Sequence, residues 1–272
     1  MSKLIIFDTE TTGLNEEDRI IQVGAIISEL GNPNYFEKPY NELCSSKIPI
    51  KIEAMSTHGI RQKDIENKPL FSETEFKKRF EELNSEENYL IAHNFEFDKK
   101  MLEKEEYKDK INYKLIDTLQ CAKHLFEIGE EINGYKLPNY KLQTFRYMMF
   151  SHEEEELEAK KYGVEIKAHD AIGDVVILKM FLLKLFFKIK EKYNIKNPQN
   201  IIDKMVELTP LPVEVKIITF GKYAGKELLE IENIEPTYID WLYNEQEKQK
   251  NSKNSKFDKD LHYTLDKIRQ KR

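Results

Sequence analysis

An apolar strand that ends in two carboxylates on the same side restricts how this chain can fold. Lys3–Thr9 reads Lys-Leu-Ile-Ile-Phe-Asp-Thr, a run rich in Ile and Leu with the pattern of a buried central strand. On a strand, residues i and i+2 share a face, so Asp8 and Glu10 point the same way. Two parallel acids there are stable only if the strand end emerges into water or something positive lies between them. A hard divalent cation with oxygen ligands meets the second condition.

Two later segments offer acids at comparable places. A strand over Tyr89–His93 leads through Asn94 into a helix over Glu96–Glu105, with Asp98 in its first turn. Sheet ends of this kind are where α/β proteins place ligand-binding groups, although an acid there also suits the helix dipole. The third segment is His169-Asp170-Ala171-Ile172-Gly173-Asp174. A helix beginning near Asp170 carries Asp174 one turn in and leaves His169 just before it. Ala171 and Gly173 keep that surface small enough for close approach.

The remaining pattern predicts strands over Arg19–Leu30, around Tyr35–Ser46 after the Gly31-Asn32-Pro33 turn, and over Tyr113–Asp117. Helices are expected over Ser72–Leu83, Lys141–Phe150 and Ala171–Tyr193. Strands first, then strands alternating with helices, give an α/β architecture: a mixed sheet flanked by helices. The acidic run Glu153–Glu156 with Glu158 reads as a solvated loop or helix face. Pro198, Pro210 and Pro212 interrupt the pattern, which suggests a linker over 196–212. Beyond it Val213–Phe220 alternates as a strand, Gly221–Gly225 is a turn, and Pro236 opens a helix whose Tyr238, Trp241 and Leu242 suit a core. After a polar stretch over Gln246–Ser255, Phe257, Leu261, Leu265 and Ile268 recur at helical spacing, completing a small C-terminal α+β module over 213–272.

The formal net charge of −6 argues against a polyanionic partner. Its distribution blunts the objection: a carboxylate cluster would be neutralised by bound metal, and Lys248–Arg272 holds nine basic against three acidic residues. Cys44 and Cys121 are far apart in sequence and in no metal-binding spacing, which fits a reducing, cytoplasmic location. The N-terminus lacks the apolar run of a signal peptide. The apolar stretch Val175–Ile189 is broken by Lys179, Lys184 and Lys188, so no membrane association is expected. Oligomeric state is left open.

Taken as a set, these motifs resemble the DnaQ-like, or DEDD, 3′→5′ exonucleases of the histidine subclass. Asp8 and Glu10 match the first motif, Asp98 the second, and His169 with Asp174 the third, H-x-A-x-x-D. Thr57-His58-Gly59-Ile60 is similar to the family's H-G-I segment and Ile116-Asp117-Thr118 to its D-T. The resemblance covers residues 1–195 and implies a ribonuclease H-like fold. It also implies two Mg²⁺ ions roughly 3.5–4 Å apart, with Mn²⁺ able to substitute. On this basis Asp8 bridges both ions, Glu10 and Asp174 hold mainly the ion that activates water, and Asp98 holds the other. His169, a residue type whose proton equilibrium lies near neutrality, would act as general base. Thr11, Leu14, His58 and Asn94 are the candidate contacts to the terminal nucleotide.

Thr219–Lys226 with Glu235–Leu242 resembles the small C-terminal module of exodeoxyribonuclease X-like proteins, with Glu235 as the acid before proline. Lys222, Tyr223 and Lys226 there combine ammonium groups with an aromatic face, a set suited to nucleic-acid backbone and bases. The same aromatics could instead form the module's core. This module favours DNA as the partner, and with the exonuclease resemblance that means DNA with a free 3′ end, single-stranded or frayed, with RNA possible. Alternatives are a proofreading subunit of a polymerase, an RNA-trimming exoribonuclease, and a non-catalytic nucleic-acid-binding module.

Overall fold

The computed structural model describes residues 1–105, 111–166, 169–250 and 257–272. Two compact units emerge, Met1–Pro210 and Leu211–Arg272.

The first unit is built on a mixed six-stranded sheet. β1 (Lys3–Thr11) runs antiparallel to β2 (Ile20–Glu29), with Asp8 opposite Gly24 and Glu10 opposite Gln22. The β2 edge is shared by β3 (Asn32–Phe36) and β4 (Tyr40–Leu43), so the single strand expected around Tyr35–Ser46 is two. Pro39 lies between them; it has no N–H for a ladder bond and interrupts the pairing. On the other side β1 pairs in parallel with β5 (Tyr89–Ala92), and β5 with β6 (Lys114–Asp117).

Helices follow in the order α1 (Ile52–His58), α2 (Gln62–Ile65), α3 (Glu75–Glu82), α4 (Phe95–Lys104), α5 (Thr118–Leu125), α6 (Leu142–Met149), α7 (His152–Tyr162), α8 (Ala171–Lys192) and α9 (Pro198–Leu208). The period of two in β1 separates two cores. Ile5 and Phe7 pack with Phe76, Phe80, Phe95 and Met101 on the α3–α4 side. Leu4 and Ile6 pack with Ile172, Val176 and Phe181 on the α8 side. Along the α8 face, β1 therefore changes from Leu4 and Ile6 to Asp8 and Glu10 without leaving the sheet.

The linker expected over 196–212 needs correction, whereas the acidic run is the solvated helix face expected except at Glu155. Residues 198–208 are a helix whose Ile201, Ile202, Met205 and Leu208 are buried in the main core, rather than part of a linker. Pro198 opens this helix and does not break it, because the first turn has no use for its missing N–H. The acidic run 153–156 opens α7, capped by Ser151 and Glu154, and Glu155 turns inward to pair with Arg146.

The second unit contains α10 (Leu228–Ile234), α11 (Pro236–Lys250) and α12 (Lys259–Gln270) around Ile218, Leu228, Ile231, Ile239, Leu242, Leu261 and Leu265. The strand expected at Val213–Phe220 contracts to one bridge, Ile217 with Glu227. Side chains of α12 take the backbone donors that a second strand would have used: Asp260 accepts from Val213 and Thr264 from Val215. Among the described residues the module is thus helical with a bridged turn, not α+β. Leu242 is buried as expected, but Trp241 faces outward at 53% exposure and takes no part in the core. Residues 251–255 of the polar stretch lie outside the described residues. No helix of the described residues is long and apolar enough to cross a membrane.

Gly24 marks a close backbone approach in the first unit. A Cβ built there would lie 2.4 Å from Ala171 C and Ile172 N, both backbone atoms. Alanine suits a strand better than glycine by a few tenths to ~1 kcal/mol, but backbone in the first turn of α8 cannot yield as a side chain end would. Gly24→Ala is expected to destabilise the chain by about 1–3 kcal/mol, read by urea denaturation; an unchanged midpoint would show that α8 can back away.

Candidate active site

The site lies where the C-terminal end of β1 meets the first turn of α8. Carboxylate oxygens of Asp8, Glu10 and Asp174 all lie within 4.8 Å of one another. Asp98 stands beside this trio, accepting a hydrogen bond from Thr9 Oγ1 at 2.7 Å and adding its charge to that felt by Asp8. Its helix is oriented by Asp117, which accepts the backbone N–H groups of Asn94 (3.0 Å) and Phe95 (3.2 Å) and also caps α5 through Leu119 and Gln120. Asn94 adopts a left-handed φ of 73° to make this turn.

Burial and mutual repulsion perturb all four acids. Burial raises Glu10 to about 8, reinforced by Asp174, Asp98 and Asp170. Burial raises Asp98 to about 7 with Asp117 adding to it, while the bond from Thr9 opposes the shift. Asp174 also reaches about 7 through burial, against the pull of the Arg146 guanidinium. Asp8 is pushed well above the carboxylate range by burial and then by Asp98, Asp174 and Glu10. Acids gathered this closely in a partly dry site are the donor set of a hard divalent cation. The residues fit the group.

His169 precedes α8 with an exposed side chain and a left-handed φ of 59°. Its backbone N–H bonds to the Asp174 carboxylate, and its ring is near enough to His58 to influence that residue's charge. His58 Nδ1 accepts from Ile60 N at 3.0 Å, so its proton sits on Nε2, 3.2 Å from the Thr11 carbonyl. Burial lowers the His58 pKa, in keeping with a neutral ring. The Thr11 hydroxyl donates to Gly13 O at 2.7 Å. Buried Asp18 organises the following loop, accepting from Thr12 Oγ1, Asn15 N and Lys51 Nζ. Leu14 is left 81% exposed at its tip.

In the second unit Lys222 Nζ and the Tyr223 hydroxyl both bond to Glu235, and Lys226 pairs with Glu230. Two site residues escaped the sequence reading. Gln143 Nε2 donates to Asp174 Oδ1 at 2.5 Å, and Gln22 Nε2 donates to Asp170 Oδ1 at 2.7 Å. Gln22 lies opposite Glu10 on β2, so strand pairing with the acidic motif was its signal; Gln143, an amide on a helix remote in sequence, offered none.

A family model described as Exonuclease matches residues 5–180. The chain belongs to the exonuclease family. A second model, Exodeoxyribonuclease X-like C-terminal, matches residues 218–247. Exodeoxyribonuclease 10 of Escherichia coli K12 is 25% identical over 246 residues, covering 89% of this chain and 90% of the relative. The DNA polymerase III subunit epsilon of Buchnera aphidicola is 32% identical over 137 residues, which cover 46% of this chain and only 57% of that subunit. The fold is that of E. coli Exonuclease I in complex with a dT13 oligonucleotide: TM-score 0.53, 16% identity, 80% of this chain and 47% of that one. This exonuclease therefore has the ribonuclease H-like mixed sheet that its motifs imply.

The raised acids make stability depend on pH and metal together. Unfolded Asp and Glu titrate near 4, whereas the site acids hold their protons to about 7 or 8. Between these limits the metal-free folded chain binds more protons than the unfolded one, so its stability falls as pH rises through that window. In EDTA the melting temperature should drop from about pH 5.5 to about pH 8.5, and Mg²⁺ or Mn²⁺ should restore it most at the higher pH. Asp8→Asn should flatten the drop and abolish the metal response. A melting curve indifferent to metal at both pH values would refute the cation site.

Proposed function

We propose that this exonuclease is a 3′→5′ exodeoxyribonuclease of the histidine subclass, releasing nucleoside 5′-monophosphates from a free 3′ end of single-stranded or frayed DNA. The observation that carries the reading is the closing of Asp8, Glu10 and Asp174 into one cluster with Asp98 beside it. Similarity to exodeoxyribonuclease 10 along 89% of the chain supports DNA as substrate. DNA repair or end processing in a reducing cytoplasm is the setting proposed; Cys44 and Cys121 are both buried free thiols.

Asp8, Glu10, Asp98 and Asp174 would hold two divalent ions, Mg²⁺ with Mn²⁺ as substitute. When bound, such ions supply positive charge to the phosphate and lower the pKa of water. His169, exposed at the lip of the site, accepts the proton of the attacking water on its imidazole. Thr11 and His58 hold the loop beside the cluster through their mutual bond, and exposed Leu14 lies against the terminal base. Asn94, at the turn into the Asp98 helix, borders the same end of the sheet. In the second unit Lys222, Tyr223 and Lys226 are proposed to contact the nucleic acid; their ion pairs are exposed, so phosphate can compete for the lysines. Trp241, exposed and 5.4 Å from the Tyr238 ring, adds a stacking face.

The polymerase-subunit reading is favoured by the 32% identity to subunit epsilon, but that match ends within 137 residues. A binding-only role is disfavoured because crowded acids repel phosphate unless a cation intervenes.

The test is digestion of end-labelled DNA beside matched RNA, with Mg²⁺ and with EDTA. Mg²⁺-dependent loss of mononucleotides from the DNA 3′ end is expected, with RNA cut more slowly; faster RNA cleavage would overturn the substrate, and no cleavage the activity. His169→Ala should lower the rate by about 10²–10⁴-fold, and Asp174→Ala by orders of magnitude too, with both proteins folded. Unaltered rates for His169→Ala at neutral pH would remove it as the base.

A further inference from the structure

Behind Asp174, three more side chains continue inward as a chain of hydrogen bonds. Glu155 on α7 grips Arg146 on α6 through two contacts, Nε to Oε1 at 2.8 Å and Nη2 to Oε2 at 2.6 Å. Both residues are almost fully buried, at 5% and 8% exposure. Arg146 Nη1 donates to Gln143 Oε1 at 3.3 Å, and Gln143 Nε2 donates to Asp174 Oδ1 at 2.5 Å. A guanidinium can only donate, so the Gln143 amide has one orientation, with its oxygen toward Arg146 and its nitrogen toward Asp174.

We propose that Gln143 is a positioning residue that presents the Asp174 carboxylate to divalent cations, its amide held in one sense by the buried Arg146–Glu155 pair. The inference rests on the reading of Asp174 as a cation ligand. Left alone, an aspartate rotates about its last torsion and must be ordered by the cation it binds. The Gln143 donor, fixed on Oδ1, joins the His169 N–H on this carboxylate and removes that motion beforehand. Partners of metal-ligating side chains typically change metal affinity about 10–100-fold when removed. The cost of burying a guanidinium and a carboxylate also finds a purpose here, since a hydrophobic pair could fill the same space.

The full-length protein would be titrated with Mn²⁺ by calorimetry and melted in EDTA. Gln143→Leu should bind Mn²⁺ about 10–100-fold more weakly, while its melting temperature in EDTA does not fall. The double variant Arg146→Met with Glu155→Met removes both buried charges together and should weaken Mn²⁺ binding in the same direction. A purely structural Gln143 would show the reverse: a lower melting temperature in EDTA and unaltered Mn²⁺ affinity. Should Gln143→Leu fold poorly, the double variant decides by the same criterion. If the unaltered chain binds Mn²⁺, Asp174→Asn loses it and Gln143→Leu does not weaken it, positioning is overturned and the cation site stands. If the unaltered chain binds none, the cation site and the positioning role fall together.

Discussion

The site depends on how closely the first turn of α8 lies on β2. That approach needs a strand residue without a side chain, and Gly24 supplies it with no room to spare. Gly24 is also the cross-strand partner of Asp8. The glycine that admits the helix thus stands beside the acid that the helix must reach, and Asp174, one turn into α8, arrives there as a consequence. Gln22, two residues earlier on the same face, fastens the helix entrance through Asp170. A larger residue at Gly24 would separate the two halves of the cluster.

Holding these acids together has an electrostatic cost that the rest of the unit must offset. Each carboxylate is partly stripped of water and faces others of the same sign, so it retains its proton far above the usual range. The apolar cores on both faces of β1 provide the compensating stability. They also keep the strand from relaxing outward, which would relieve the repulsion and lose the site. Stability near neutral pH is therefore tied to a cation in a way that the surface ion pairs are not.

Much of this was legible in the sequence because it follows short periods. The alternation in β1 placed Asp8 and Glu10 on one face, and the step from Asp170 to Asp174 placed the latter one turn into a helix. The proline-based boundaries were read less well. Pro198 signals a helix start as readily as a break, and only the burial of Ile201 and Met205 distinguishes the two. Val213–Phe220 alternates like a strand, yet its first backbone donors, Val213 and Val215, are taken by Asp260 and Thr264. Such competition is between residues almost fifty positions apart, which local pattern does not register. Arg146–Glu155 and Gln143–Asp174 are invisible for the same reason: each side chain is ordinary on a solvated helix and acquires meaning only when another helix packs over it.

The charge balance looks different once divided between the units. Residues 1–210 contain 31 Lys and Arg against 38 Asp and Glu, whereas residues 211–272 contain 12 against 11. The four site carboxylates make up more than half of the acidic excess in the first unit, and they occupy the place where cations would neutralise them. What remains is nearly even. Many lysines on this surface are already paired with neighbouring acids, as Lys222 and Lys226 are. A surface of that kind gains little from displacing counterions along a polyanion. On the proposed function, its hold on DNA rests mainly on the cations of the site and on apolar and aromatic contacts such as Leu14 and Trp241, with Lys222 and Lys226 contributing only where phosphate displaces their acid partners. That favours a chain end, where the reacting phosphate and an unstacked base are offered together, over the uniform backbone of a duplex.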